Sequence, residues 1–259
     1  MELLLFTQTK NFYFVIFIFR TPKDKLLIAL RKGHAERVSA MLDQFPEELE
    51  PNMSADTADN KLLHRAARYG NAKVINTLVS KGADVKITNK FGMTPLHHAA
   101  VHGGADVLKA LLDAGADPNK ADEAGRLPLH WTATKGHIEG SQVLIEGGAK
   151  ALGPDQEGFT PLHRCCQEEP MPKSSDENED EYKAKFDKAK AEVAKLLISK
   201  GANVNAREPK GQQAPLHLAA MNGLPAVTSV LIQSKADTCS INKVIILTSL
   251  HCQCNIYFS

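Results

Sequence analysis

The sequence predicts an all-α solenoid, in which helix-turn-helix units stack in one direction and are joined by hairpin-like loops. Its first support is a tetrapeptide, Thr-Pro-Leu-His in its best copies, that ends at His97 and at His163. Related tetrapeptides end at 64, 130 and 217, and the first four of these five histidines lie 33 residues apart. Its second support is the helical spacing of the apolar residues that follow each copy. Self-similarity at such a period indicates stacked repeats whose function lies on an extended surface.

The first helix of each unit is expected to begin at the tetrapeptide. Thr94 and Thr160 stand at the N-cap position, where a hydroxyl oxygen accepts a hydrogen bond from the first turn, and Pro95 stands at the first helical position. Each motif histidine is expected to hydrogen-bond the backbone of the neighbouring loop; they include His97, His130, His163 and His217. A shared metal is rejected for them, because stacked repeats place equivalent residues about 8–10 Å apart, whereas zinc ligands lie about 2 Å from one ion.

The second helix of each unit is predicted to be amphipathic. In the best copy, one helix face carries Val107, Leu108, Leu111 and Leu112. The helix is expected to stop at Gly115, because glycine adopts a positive φ without a Cβ penalty. In the last unit Lys235 replaces this glycine, so that turn is expected to relax.

These motifs resemble the ankyrin repeat. The segments from Gly92 to Ala100 and from Leu111 to Asp117 follow nearly the whole repeat pattern of that family. The resemblance covers about residues 25 to 240. It implies that the chain binds a partner protein, because the family binds unrelated proteins on one scaffold. It also implies that the partner contacts the loop tips and the exposed side of the first helices.

The repeats divide the chain into three parts. Residues 1–24 form an apolar leader, expected to be poorly ordered, whose run from Phe12 to Phe19 is far shorter than the roughly 20 residues that span a bilayer. Residues 25–240 form the array, which opens with an atypical copy at about 25–58 that covers the end of the stack. Further repeats begin near 59, 92, 125, 158 and 211. Residues 241–259 form a degenerate or truncated copy.

An insertion of about twenty residues, at about 168–187, is predicted between the two helices of one repeat. It contains the acidic run 176–181, which is expected to lie in a mobile loop. After it, one helical face is formed by Tyr182, Phe186, Ala189, Val193 and Leu196. The second helix of this repeat is therefore predicted to extend backward by about three turns. Removal of 168–187 is expected to leave the array folded, and one further extra residue is expected in the following loop.

Composition argues against several classes of protein. The chain has 31 basic and 30 acidic residues, whereas nucleic-acid binders usually show a clear basic excess. Its five cysteines form no disulfide framework, and no nucleophile–base pair or glycine-rich phosphate loop is visible. The cluster of His251, Cys252 and Cys254 lacks the second ligand pair of a zinc site. We therefore expect no enzyme, no catalytic residue, no cofactor and no metal.

The leading hypothesis is a non-catalytic binding module or adaptor that is monomeric, is not a membrane protein and acts in the cytoplasm or nucleus. Aromatic side chains are frequent interface anchors, which favours Tyr69 and Phe91. The residues predicted to contact the partner protein, whose identity the sequence does not reveal, are Tyr69, Phe91, His102, Asp122, Lys135, Asp155 and Met221. Two alternatives remain open: an assembly chaperone similar to the ankyrin-repeat chaperone of the proteasome, and a fragment of a larger ankyrin-bearing channel or enzyme.

Overall fold

The computed structural model describes residues 21–102, 104–167 and 179–239. Within them the chain forms twelve α-helices, and the all-α repeat fold predicted from the sequence is confirmed. The predicted leader up to residue 20, the start of the insertion at 168–178 and the predicted copy from residue 240 lie outside the described residues. The helices are α1 (Pro22–Lys32), α2 (Ala35–Gln44), α3 (Leu62–Arg68), α4 (Ala72–Ser80), α5 (Pro95–His102), α6 (Ala105–Asp113), α7 (Pro128–Lys135), α8 (Ile138–Glu146), α9 (Pro161–Cys165), α10 (Glu179–Ser199), α11 (Pro215–Met221) and α12 (Pro225–Gln233).

The twelve helices of the described residues form six pairs. Odd-numbered helices are the first helices of the repeats and even-numbered helices are the second helices. Each helix packs against its partner in the pair and against the equivalent helix of the next repeat. The fold therefore has two parallel rows of helices, and the apolar core lies between the rows.

Each repeat contributes a small buried face that only its neighbours complete. In the third repeat the fully buried apolar residues are Leu96, Ala99, Ala100, Val107, Leu108 and Leu111. The two alanines let α5 approach adjacent helices closely, while each buried leucine contributes roughly 1.5–3 kcal/mol. One helix pair has too little such surface to fold alone, so the stability of the array comes from stacking.

The first repeat begins earlier than the predicted boundary at residue 25. Helix α1 starts at Pro22, and Thr21 is its N-cap. The Thr21 hydroxyl accepts from the Asp24 N–H, and the Asp24 carboxylate accepts from the Thr21 N–H, both at 3.2 Å. This reciprocal capping box satisfies two N–H groups of the first turn. Residues 21–24 are therefore part of the array and not of the leader.

The turns after the second helices of repeats two to six keep one left-handed conformation, even where glycine is replaced. Gly115 has φ 89°, and Lys235 at the equivalent place in the sixth repeat has φ 65°. The expectation that the turn at Lys235 relaxes is therefore wrong. The lysine keeps the left-handed conformation, at a cost of about 1–2 kcal/mol. Its N–H still donates to the Ile232 carbonyl at 3.0 Å, which continues the helix end as in the other repeats.

Helix α10 confirms the predicted backward extension of the second helix. It is 21 residues long, whereas α6 has nine. Ala191 aligns with Ala105 at the start of α6, so the twelve residues before Ala191 form about three additional turns. The rings of Tyr182 and Phe186 lie on this extension, with their centroids 6.1 Å apart.

The extension is fastened to the core by two buried charged residues. The Asp187 carboxylate is 4% exposed and accepts from the Ala226 N–H at 2.6 Å and the Val227 N–H at 3.1 Å. These amides belong to the first turn of α12, whose own N-cap residue makes no side-chain cap. The fully buried Lys190 donates to the Gln167 carbonyl at the end of the preceding helix. The C-terminal end of 168–187 therefore makes structural contacts through Asp187, and the expectation that the array stays folded without this segment remains a prediction.

An asparagine in the loop after three of the repeats fastens that loop to the next repeat. Its amide donates to a carbonyl there, and its oxygen accepts from a backbone N–H two residues further on. We call this arrangement the asparagine latch. The latches are Asn52 with Gly82 (3.3 Å) and Asp84 (2.8 Å), Asn119 with Gly148 (2.9 Å) and Lys150 (2.8 Å), and Asn205 with Lys235 (3.5 Å) and Asp237 (2.8 Å). After the second and fourth repeats the position holds Lys86 and Leu152, and the described residues show no latch there.

Candidate protein-binding surface

The motif histidines join each first helix to the loop of the next repeat. His97 Nδ1 accepts from the Thr94 N–H at 3.0 Å, and its Nε2 lies 3.0 Å from the Arg126 carbonyl, 29 residues away. Because the backbone N–H occupies Nδ1, the proton of the neutral ring sits on Nε2 and is donated to the carbonyl. The same pair of contacts is made by His64 with Lys61 and Met93, by His130 with Leu127 and Phe159, and by His163 with Thr160 and both Ala206 and Gln213.

These contacts agree with the hydrogen bonds expected from the sequence and add a capping role. The histidine at N3 accepts from the N-cap backbone, as Glu or Gln does in a capping box. His217 Nδ1 likewise accepts from the Ala214 N–H at 3.1 Å. Burial lowers the pKa of His97 and that of His130 to about 4, because a charged ring would lose its hydration. His97 and His130 are therefore neutral structural groups.

The loops between repeats protrude beside the first helices, and we call them the finger loops. Two predicted contact residues, Asp122 and Asp155, lie inside these loops with side chains 0% exposed. Asp122 accepts from the Ala124 and Arg126 N–H groups, both at 2.9 Å. Short acidic side chains readily accept from backbone groups two residues further on. Asp122 and Asp155 therefore shape the loops and are not available as contact residues, which corrects their assignment.

Two other finger loops have a buried polar side chain at the position of Asp122. Asn89 is 7% exposed and accepts from the Phe91 and Met93 N–H groups at 2.9 and 3.0 Å. Glu208 is 2% exposed, and its loop closes one residue later, with its N–H donating to the Gln213 carbonyl. The extra loop residue expected from the sequence is therefore present, and Gln212 takes a positive φ of 56° there.

Adjacent finger loops are hydrogen-bonded to one another. The Glu123 N–H donates to the Phe91 carbonyl at 3.0 Å, and the Gln156 N–H donates to the Ala124 carbonyl at 3.1 Å. A Cβ at Gly125 would lie 2.8 Å from the Gln156 nitrogen, so glycine is required for this approach. With the Lys90 N–H donating to the Ala58 carbonyl at 3.1 Å, the first four finger loops form a continuous row.

Arginines connect the finger loops to the first helices. Arg164 stands directly after a motif histidine, pairs with Asp155 at 2.6 Å and lies over the Phe159 ring at 4.8 Å. Arg126 pairs with Asp122 at 2.9 Å and lies over the half-buried Trp131 ring at 4.1 Å. These arginines were not among the predicted site residues. An alignment of the repeats could have indicated them, because Arg164 directly follows a motif histidine and Arg126 lies just before a first helix.

The other predicted contact residues are accessible to different degrees. Phe91 is 58% exposed at a finger tip, and Met221 is 52% exposed at the end of α11. His102 is exposed, whereas Tyr69 and Lys135 are half-buried. These last three occupy the same position, directly before the glycine that ends the first helix, in three successive repeats. The structure therefore places five of the seven predicted residues where a partner can reach them.

The described part of the chain bears on three other features: metal sites, reactive thiols and membrane-spanning helices. No group of three His, Cys, Asp or Glu side chains there could hold a metal ion, and the cluster at His251 lies outside it. Burial raises the pKa of the Cys165 thiol to about 12 and that of Cys166 well above its ordinary value. Among the helices that the structure describes, none has the length and apolar character needed to cross a bilayer.

These features define an α-helical repeat protein whose accessible predicted contact residues lie on the finger loops and on the ends of the first helices. A family model described as ankyrin repeats in three copies matches residues 26–122 and 96–172, and the single ankyrin repeat matches 157–209 and 212–243. The chain therefore belongs to the ankyrin-repeat family. A search among curated proteins finds no match. Ankyrin repeats are generally protein–protein interaction modules, and the family is typically non-catalytic.

Proposed function

We propose that this protein is a non-catalytic binding module or adaptor, which holds a partner protein on its finger tips and on the exposed side of its first helices. One observation carries the proposal. Phe91 and Met221, two of the most exposed large apolar side chains in the described residues, belong to this surface. Their exposure costs free energy that binding would recover, because large apolar groups are stabilised when removed from water.

The architecture supports this proposal through preorganisation. The backbone on both sides of Phe91 is held by Asn89, and the Phe91 carbonyl accepts from the next finger loop. Only the side chain at the tip remains to be ordered on binding. Each rotamer-rich side chain or loop that must be ordered costs about 0.5–1.5 kcal/mol, so a rigid loop retains more of its contact energy.

The half-buried aromatic on the neighbouring helix end supports the same surface. Tyr69 lies under the Arg65 guanidinium, with the Arg65 Cζ 5.6 Å from the ring centroid. Tyrosine and arginine are enriched among the residues that dominate binding energy. We place the protein in the cytoplasm or nucleus as a monomer; the free buried thiols Cys165 and Cys166 suit a reducing compartment.

The proposal is tested by affinity purification with quantitative mass spectrometry on paired variants. The test variant is Phe91→Ala with Met221→Ala. The matched control is Leu152→Ala, because Leu152 is 57% exposed but borders a cleft with Ile145 and Lys200 at the ends of second helices. We expect the double variant to lose partners that the control retains, with unchanged melting curves. Loss in the control alone would refute the assignment of the surface.

A further inference from the structure

The ends of the first helices carry a run of basic residues across the first four repeats, four of them Arg or Lys and one a histidine. We call this run the cationic strip; its members are Arg31, Lys32, Arg68, His102 and Lys135. Each is one of the last two residues before the glycine that ends a first helix. The whole chain has 31 basic and 30 acidic residues, so the strip reflects the arrangement of charge and not its total.

In repeats two to four the first helices hold no acidic residue at the positions one, four and five residues after the motif histidine. These positions are occupied by Arg65, Arg68, Tyr69, His98, Val101, His102, Trp131, Thr134 and Lys135. Arg65 is paired with a carboxylate of its own finger loop, whereas Arg68 is exposed and contacts no carboxylate among the described residues. At these positions the first helices of repeats two to four therefore carry basic and no acidic side chains, whereas the sequence has Glu168 at the equivalent position of the fifth repeat.

The charges are close enough to act on one another. The pKa of His102 is lowered by partial burial and then by the positive charges of Arg68, Lys135 and His137. The same ring cluster includes His98 on α5, whose pKa is lowered to about 3 by burial and by neighbouring cationic groups that include Arg68. A surface of one sign repels itself and attracts ligands of the opposite sign.

We propose that the cationic strip binds an extended acidic peptide segment of the partner protein. This inference rests on the proposed function and names the chemistry of its ligand. Equivalent positions in stacked helices lie about 8–10 Å apart, and an extended peptide advances about 3.3 Å per residue. Aspartate or glutamate at about every third position of the segment would therefore face one repeat each.

The surroundings of the strip favour a peptide over a nucleic acid. The neighbouring finger tips carry the exposed acids Glu123 and Glu157, of which Glu157 pairs with Arg164 at 2.5 Å. Glu123 repels a polyphosphate backbone that reaches beyond the strip. Phe91 stands exposed between the second and third repeats, where an apolar peptide side chain can pack against it. Surface ion pairs contribute only about 0–1 kcal/mol each, so affinity depends on several pairs together with such an apolar contact.

Binding is expected to strengthen as the pH falls. The groups facing His102 are Arg68 on α3, Lys135 on α7, His137 at the start of α8 and His98 on its own helix. Partial burial and then these positive groups disfavour its protonation in the free protein. A bound carboxylate favours the protonated ring, so the complex takes up a proton, and affinity rises as the pH falls toward the lowered pKa of the free ring.

The test uses fluorescence anisotropy with three labelled probes and the full chain. One decapeptide has glutamate at every third position among Ser and Gly, a second has the same composition with its glutamates adjacent, and the third probe is a ten-nucleotide single-stranded DNA. We expect Arg68→Glu with Lys135→Glu to weaken binding of the first peptide at least about tenfold. The matched control, Lys73→Glu with Lys109→Glu, has the same charge change on exposed positions of second helices and should change the affinity less than about twofold.

Several results would overturn the proposal. Equal loss of affinity in test and control variants would show that only net charge matters. Equal binding of the two peptides would contradict the predicted spacing of one acid every three residues. Tighter binding of the DNA would show that the strip binds nucleic acid. Loss of purified partners with Phe91→Ala and Met221→Ala, without any peptide binding, would reject the acidic ligand and leave the proposed function standing. Failure of both experiments would reject both.

Discussion

The carboxylate of Asp187 should stabilise the last repeat, although it belongs to the preceding one. Its two hydrogen bonds supply the N-cap that α12 lacks in its own sequence, since Leu224 precedes the helix. We predict that Asp187→Ala destabilises the sixth repeat selectively. Helix α12 would then open at a lower urea concentration than the rest of the array, because each repeat of a solenoid is stabilised chiefly by its neighbours.

The expected magnitude follows from the contacts. Removal of an N-cap side chain costs about 0.5–2 kcal/mol, and a buried N–H left without a partner costs about 1–3 kcal/mol. Water can reach a helix terminus and replace part of this loss, so we expect about 2 kcal/mol for the variant. Asp187→Asn keeps one oxygen acceptor but loses the charge. Its free energy of unfolding should lie between those of Asp187→Ala and the natural protein.

Hydrogen exchange of the amides of Ala226 and Val227, followed alongside urea unfolding, measures the effect directly. Glu192→Ala on the same helix is the control, because this exposed carboxylate pairs only with the exposed Lys195 at 2.7 Å. That pair should contribute less than about 1 kcal/mol. Unchanged protection of the two amides in Asp187→Ala, or equal destabilisation by the control, would refute the reasoning.

Three further predictions concern the histidine, the latch and the core thiol. His97→Gln should reduce the loss of stability between pH 6.5 and 4. Because the folded pKa of His97, about 4, lies below the unfolded value, the natural chain loses up to about 3 kcal/mol of unfolding free energy in this range as the unfolded state takes up the proton. Urea unfolding at several pH values measures this loss. Lys150→Asp with Leu152→Asn should introduce an asparagine latch after the fourth repeat and raise the free energy of unfolding by about 1 kcal/mol. Asn119→Leu, which removes a natural latch, should lower the free energy of unfolding. Cys165, with a pKa of about 12, should resist iodoacetamide at pH 8 until the chain unfolds, as read by mass spectrometry.

Each of these has a result that would contradict it. An unchanged pH dependence in His97→Gln, compared with the exposed His34→Gln as control, would show that the buried ring does not titrate as argued. Equal stability of the new and natural loops would show that the latch contributes nothing at that junction. Modification of Cys165 at the rate of the exposed Cys239 in the folded chain would show that α10 does not shield the thiol.

Most of the fold follows from local patterns that can be read in the sequence. The 33-residue period, the proline at the first helical position and the glycine after each second helix each reflect a local rule of helix initiation or termination. The start of α1 was missed because Asp24 replaces histidine as the N3 acceptor, although Thr21-Pro22 repeats the usual pair. The turn at Lys235 keeps the left-handed conformation despite a local cost of about 1–2 kcal/mol. The amide of Asn205, 30 residues away, donates to the Lys235 carbonyl, and a local pattern does not include this contact.

The surface was harder to predict, because exposure is decided by contacts between repeats. Asp122 and Asp155 look like loop-tip acids in the sequence, yet each turns inward to accept backbone N–H groups. Asp187 lies in what resembles a solvated helix, and its partners are 39 and 40 residues away. The exposure of Phe91 and Met221 follows from the repeat register, which alone determines the tip of a loop and the end of a first helix.

The alternation of the asparagine latch has a mechanical consequence. Latches join the first repeat to the second, the third to the fourth and the fifth to the sixth, whereas Lys86 and Leu152 leave the two intervening junctions without one. Bending should therefore concentrate at two joints between three stiffer blocks. The distance from Arg68 to His102 spans such a joint, but the distance from His102 to Lys135 does not. A partner that straightens or curls the array would change the first spacing and leave the second nearly constant.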